Sequence, residues 1–185
     1  MSETFYAAYT AEGGWRLDGC GLVDTLFEVQ PEIALDVFVG GPEGPVRRLF
    51  RQRTGRPSPL AKIDPALIKA WADADPERRY DRLGDATSLF EKDRSDNATA
   101  LNPLFVALLE RAPDKAAFLG EAYIRVHPSG WSGSLADILE SRKRLLDGLP
   151  DHPDVAAWLA RERPRVETWI ARERQNEAER EERFE

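Results

Sequence analysis

The sequence predicts an all-α fold, with antiparallel helix pairs stacked as an α-solenoid. Three observations predict it. Pro31, Pro65, Pro103 and Pro153 each have a second proline 10 or 11 residues on, at Pro42, Pro76, Pro113 and Pro164. Proline is accepted in the first turn of a helix and breaks its interior, so this spacing spells short helices started, stopped and started again. The paired starts fall 34, 38 and 50 residues apart, the period range of two-helix repeats. Apolar stripes at helical spacing follow the prolines, as in Leu67, Ile68 and Trp71 after Pro65, and Val155, Trp158 and Leu159 after Pro153. One repeat domain is expected over 1–185, with N-terminal helices and an Arg-rich loop in 1–59, helical repeats in 60–172 and a charged tail in 173–185.

Each element can be justified in order. Residues 1–19 carry Phe5, Tyr6, Tyr9 and Trp15, interrupted by Gly13 and Gly14, and show no regular pattern. From Cys20 to Val29, Leu22, Val23, Leu26 and Phe27 mark a helical face. Pro31 opens a second short helix through Phe38, stopped by Gly40 and Gly41; its run "IALDVFV" has strand character too, but its flanks match the other helices. Asp64 caps and Pro65 opens the next helix, ending near Ala74. Asp75 and Pro76 repeat the signal for a helix expected to carry Tyr80, Leu83, Leu89 and Phe90. The polar run "EKDRSDNAT" reads as a loop.

Asn102 and Pro103 then begin a helix, with Leu101, Leu104, Phe105, Leu108 and Leu109 on one face. Pro113 and Asp114 start its partner, with Phe118, Leu119, Ala122, Tyr123 and Val126 inward. After "HPSGWSGS", Ser134 and Asp137 form a capping-box-like start for a helix carrying Leu135, Ile138, Leu139, Leu145 and Leu146. Val155, Trp158 and Leu159 recur 11 residues later as Val166, Trp169 and Ile170, about three turns on and so on the same face. Pro164 between them predicts a kink or a break. The tail "ARERQNEAEREERFE" reads as a solvated helix, with Glu179 and Arg183 spaced for a weak ion pair.

Composition bounds the function. With 42% hydrophobic and 32% charged residues, the chain has the makings of a soluble globular domain. A net charge of -7 argues against nucleic acid as a partner, because phosphates demand a positive surface. The exception is "PVRRLFRQRTGRPSP", where Arg47, Arg48, Arg51, Arg53 and Arg56 stand without an acid: +5, against -12 for the remainder. As an ordinary feature this is a solvated or acid-paired loop. As a functional one it is a docking site for an acidic partner, or a phosphate contact. The single Cys20 excludes an internal disulfide and fits a reducing compartment. No signal-peptide pattern opens the chain and no apolar run is long enough to span a membrane, so a cytoplasmic protein is expected.

The catalytic inventory is thin. His127 and His152 make no HExxH pair, one cysteine makes no CxxC pair, and neither a phosphate loop nor a GxSxG elbow occurs, so no metal or cofactor is expected. His152, ahead of Pro153, takes the capping position that Asp64 and Asn102 hold elsewhere. The alternative class is a small enzyme with its site near Cys20 or the His127–Trp131 loop. The other reading of that loop, with Arg125, His127 and Trp131, is a recognition surface displayed on a rigid scaffold.

The strings "IKAWADADPERRY", "NPLFVALLERAPD", "GWSGSLADILESRKRLLDGLPDHPDVAAWLA" and "EREERFE" resemble the HEAT-like α-helical end regions of some large bacterial proteins of uncertain function, some of them linked to defence against phages or rival bacteria. The resemblance covers residues 60 to 185. It implies a HEAT/ARM-like interaction scaffold and carries over no catalytic residue. The expected function is therefore non-catalytic protein binding, by an adaptor or an immunity-type inhibitor. The expected partner is another protein, either a basic toxin or a subunit of a defence complex. Its candidate contacts are Arg47, Arg48, Arg51, Arg53, Arg56, Arg125, His127 and Trp131.

Overall fold

Proline stands at the first position of five helices, where its missing N–H would have had no partner in any case. The structure is a computed structural model. It describes residues 21–42, 45, 49–50, 57–92, 97–120, 122, 126, 128, 131 and 133–184. Its elements are α1 (Leu22–Val29), α2 (Pro31–Phe38), a 3-10 turn (Pro59–Lys62), α3 (Pro65–Asp73), α4 (Pro76–Ala86), β1 (Phe90–Lys92), β2 (Ala98–Leu101), α5 (Pro103–Arg111), α6 (Lys115–Leu119), α7 (Leu135–Leu145), a 3-10 turn (Leu146–Gly148) and α8 (Pro153–Phe184). The chain is thus mostly helical, with one small hairpin among the described residues.

Four of the caps that the sequence announces are made, whereas Asp75 stands at the N-cap of α4 without a side-chain capping hydrogen bond. The Ala66 N–H donates to Asp64 Oδ1 at 2.8 Å and the Leu104 N–H to Asn102 Oδ1 at 2.9 Å. The Ala117 N–H donates to Asp114 at 2.8 Å, and the Asp154 N–H to His152 Nδ1 at 3.2 Å. Each satisfies a first-turn donor that has no carbonyl partner within its helix. The run "IALDVFV" is helical through Phe38, with Val39 as the C-cap of α2.

One apolar cluster runs from Val23 to Ile170. α1 packs on α2 and on the first 3-10 turn, α2 on α3, and α3 on α4; α4 packs on α5 and α6, α6 on α8, and α8 along α7. Phe27 stacks on Phe38, and Phe105 meets Phe118 at 5.0 Å between ring centroids. Trp158, Leu139 and Leu146 all lie in this core. On α1 the buried half of the stripe is Val23 and Phe27, while Leu22 is exposed.

Four expectations need correction. The helix begun at Pro76 ends at Ala86, so Leu89 and Phe90 are buried beyond it, not on it. The run read as a loop contributes to an antiparallel hairpin, with Phe90 opposite Leu101 and a register shift after Glu91. The Asn102 N–H closes it on Leu89 O at 3.0 Å, and β2 rests on α7, which gives this short hairpin the cover it needs. The partner helix after Asp114 is only Lys115–Leu119; Ala122 and Val126 are buried beyond it, and Tyr123 lies outside the described residues. Lastly, the break expected at Pro164 does not occur: α8 continues through it over 32 residues. Pro164 faces solvent, while Val155, Trp158, Val166 and Ile170 are buried on both sides of it. Burial on both flanks offsets the interior-proline cost of about 3 kcal/mol.

Candidate interaction surface

Charged side chains first explain how the helices are held in place. Arg79 of α4 donates to the Trp71 carbonyl at 2.7 Å and to Asp36 at 3.2 Å, and its guanidinium lies 4.3 Å from the Trp71 ring centroid. The Trp71 indole N–H donates to the same Asp36 oxygen at 2.8 Å. Arg78 donates to the Gly40 carbonyl, and Arg82 to those of Val39 and Gly41. Arg78 and Arg82 thus serve the carbonyl end of α2, where positive charge is favoured, while Arg79 holds the Asp36 side chain.

A second lock joins α3, α4 and α5. The Tyr80 hydroxyl donates to Asp73 at 2.6 Å, Arg111 Nε donates to the Tyr80 oxygen at 3.1 Å, and Arg111 also pairs with Asp73. The Tyr80 hydrogen bond, followed by that of Arg111, lowers the Asp73 pKa; burial, then Asp73, raises that of Tyr80. Tyr80 is buried, and its oxygen is committed to both neighbours.

The α7–α8 seam carries a ladder of charges. Arg163 pairs with Asp147, Lys143 with Glu167 at 3.0 Å, and Arg174 with Asp137 at 2.6 Å and Glu140 at 3.3 Å. At its end the Ser134 hydroxyl donates to Glu177 at 3.0 Å, and the Ala136 N–H to the other oxygen of that carboxylate at 3.4 Å. Ser134 also caps α7 by accepting from the Asp137 N–H at 3.1 Å. The Asp137 side chain turns to Arg174 rather than completing a capping box.

Trp131 stands three residues before that cap and is 50% exposed. Gly133 follows at φ 82, a left-handed conformation that glycine adopts without strain. Exposed Leu22, Val29 and Ile33 lie on the α1–α2 hairpin. Elsewhere burial, then the Asp85 and Asp114 charges, pushes the Asp81 carboxyl of α4 up from its usual value, with Arg82 opposing.

Of the residues singled out from sequence, Trp131 is placed as an exposed loop aromatic and His152 as a helix cap. Arg47, Arg48, Arg51, Arg53, Arg56, Arg125, His127 and Cys20 lie outside the described residues. Among the described residues, no group of three or more His, Cys, Asp or Glu side chains is placed to hold a metal, and no helix is long and apolar enough to cross a membrane. Two features have no signal in the sequence. Glu177 reaches Ser134 from 43 residues away. Glu162 is buried within the apolar stripe of α8, flanked by Arg161 at 2.8 Å and Arg165 at 3.0 Å. Comparison with known proteins finds no matching family model, no matching curated protein and no matching solved structure.

Proposed function

We propose that the chain is a non-catalytic protein-binding module, a HEAT-like stack of helix pairs that displays its contacts on loops. The observation that carries this reading is Trp131, half exposed just ahead of a capped and ion-paired helix. Tryptophan offers a large rigid surface with few rotamers to freeze, and it is enriched among residues that dominate binding energy. The partner class is a basic protein. A net charge of -7 supports steering of such a partner. An immunity-type inhibitor that neutralises a basic toxin or nuclease fits this description, as does an adaptor in a bacterial defence complex. The single Cys20 agrees with work in a reducing cytoplasm.

The test compares wild type and Trp131→Ala as baits in the source cell. The expected result is one basic protein retained by wild type, released by raised salt and lost with Trp131→Ala, while the melting temperature of the bait stays within about 2 °C of wild type. Equal retention by both baits would remove Trp131 from the interface, and the absence of any basic partner would remove the proposal.

A further inference from the structure

The contacts along α8 change character at Ile170. Before it, the ion pairs of the α7–α8 seam are backed by buried Val155, Trp158, Val166 and Ile170. After it, among the described residues, no apolar side chain of α8 is buried: Ala171 and Ala178 are exposed, and the half-buried side chains are Glu173, Asn176 and Glu177. Among the described residues, polar contacts tie this stretch to α7, from Arg174 to Asp137 and Glu140 and from Glu177 to Ser134 and the Ala136 N–H. The helix continues for seven residues past Glu177.

We infer that residues 171–184 form a strap held on α7 by charge, one that releases as ionic strength rises while the rest of α8 stays docked. Side-chain burial holds the first part of α8 and is insensitive to screening. Exposed ion pairs hold the second and are weakened when the Debye length falls to about 3 Å at 1 M salt. Local opening at low free energy is the expected behaviour of a segment with few buried apolar contacts. Release also detaches Glu177 from Ser134 and so frees the first turn of α7, to which the Trp131 loop connects.

Amide hydrogen exchange on the full chain tests this residue by residue. Ala136 is the sensitive reporter, because its N–H lies in the first turn of α7 and its partner is the Glu177 carboxylate. Between 0.05 and 1 M sodium chloride, exchange at Ala136 and across 171–178 should accelerate about tenfold, while 155–166 change less than twofold. Glu177→Ala combined with Arg174→Ala should reproduce the acceleration at low salt, with unchanged circular dichroism in the core-forming helices. Salt-independent exchange at Ala136 and 171–178 would overturn the inference, as would equal acceleration along all of α8. Both outcomes are independent of whether any partner is found.

Discussion

Gly84→Ala is the substitution whose cost the structure defines best. Gly84 is an interior residue of α4, and on helix propensity alone alanine should stabilise by about 1 kcal/mol. The packing says the opposite. A Cβ there would fall inside 3.0 Å of the Phe118 carbonyl oxygen, 3.0 Å from Phe118 Cδ2 and 3.1 Å from its carbonyl carbon. The obstructing atoms include backbone of α6, so relief requires α6 to move as a unit, and Phe118 and Leu119 are buried beneath it. Overpacking against backbone costs roughly 1–3 kcal/mol or more, and it must also overcome the propensity gain. On these figures the expected net loss is up to about 2 kcal/mol, against a typical margin of about 5–15 kcal/mol. Gly133→Ala supplies the contrast: among the described residues its Cβ meets nothing within 4 Å, and φ 82 gives a cost of about 1 kcal/mol. Urea denaturation followed by circular dichroism measures both. A Gly84→Ala protein as stable as wild type would refute the close approach of α4 and α6.

The remaining predictions concern buried and charged groups. Trp158 is 1% exposed and its indole N–H is buried without a partner among the described residues; Trp158→Ala should therefore cost about 3–5 kcal/mol in urea. Trp158→Phe, which removes the unsatisfied donor, should stay within about 1.5 kcal/mol of wild type. Glu162 is buried while Arg161 and Arg165 are more than half exposed, so Glu162→Met lets both arginines hydrate and should be neutral or stabilising by about 1 kcal/mol, read as the melting temperature. Asp81 and Asp73 should show opposite pH dependence. The raised Asp81 pKa means the folded state holds that proton more tightly than the unfolded chain does. Its favourable contribution exists below the ordinary Asp range and is lost as pH rises through the folded value, so Asp81→Asn should raise the urea midpoint at pH 7. The lowered Asp73 pKa gives a contribution present above the ordinary range and lost as pH falls through the folded value, so Asp73→Asn should lower the midpoint at pH 7 and converge on wild type in acid.

The helices were legible because their start signals are local. Asp64–Pro65, Asn102–Pro103 and His152–Pro153 each put a cap and a φ-restricted residue side by side, and the first turn needs little else. The hairpin was not legible. Its strands are three and four residues long, and pairing Phe90 with Leu101 leaves no alternating pattern to read. No break occurs at Pro164 for a related reason: the proline marks a local cost, whereas the stripe from Val155 to Ile170 is held by tertiary burial. Gly84 carried a faint signal, a glycine inside a helical pattern, but only the position of Phe118 gives it meaning. On the surface, Trp131 was recognisable from its glycine-rich setting. The tie from Glu177 to Ser134 was not, since it depends on how α7 and α8 register against each other.

The most direct test of the central claim is photo-cross-linking from position 131 in the source cell. A photoreactive phenylalanine analogue replaces Trp131, and a control chain carries it at Asp154, exposed at the opposite end of the α7–α8 pair. The predicted result is one discrete cross-linked species from position 131, containing a basic protein and lost at high salt, with none from position 154. Equal labelling at both positions, or no protein adduct from position 131, would contradict a binding surface centred on Trp131.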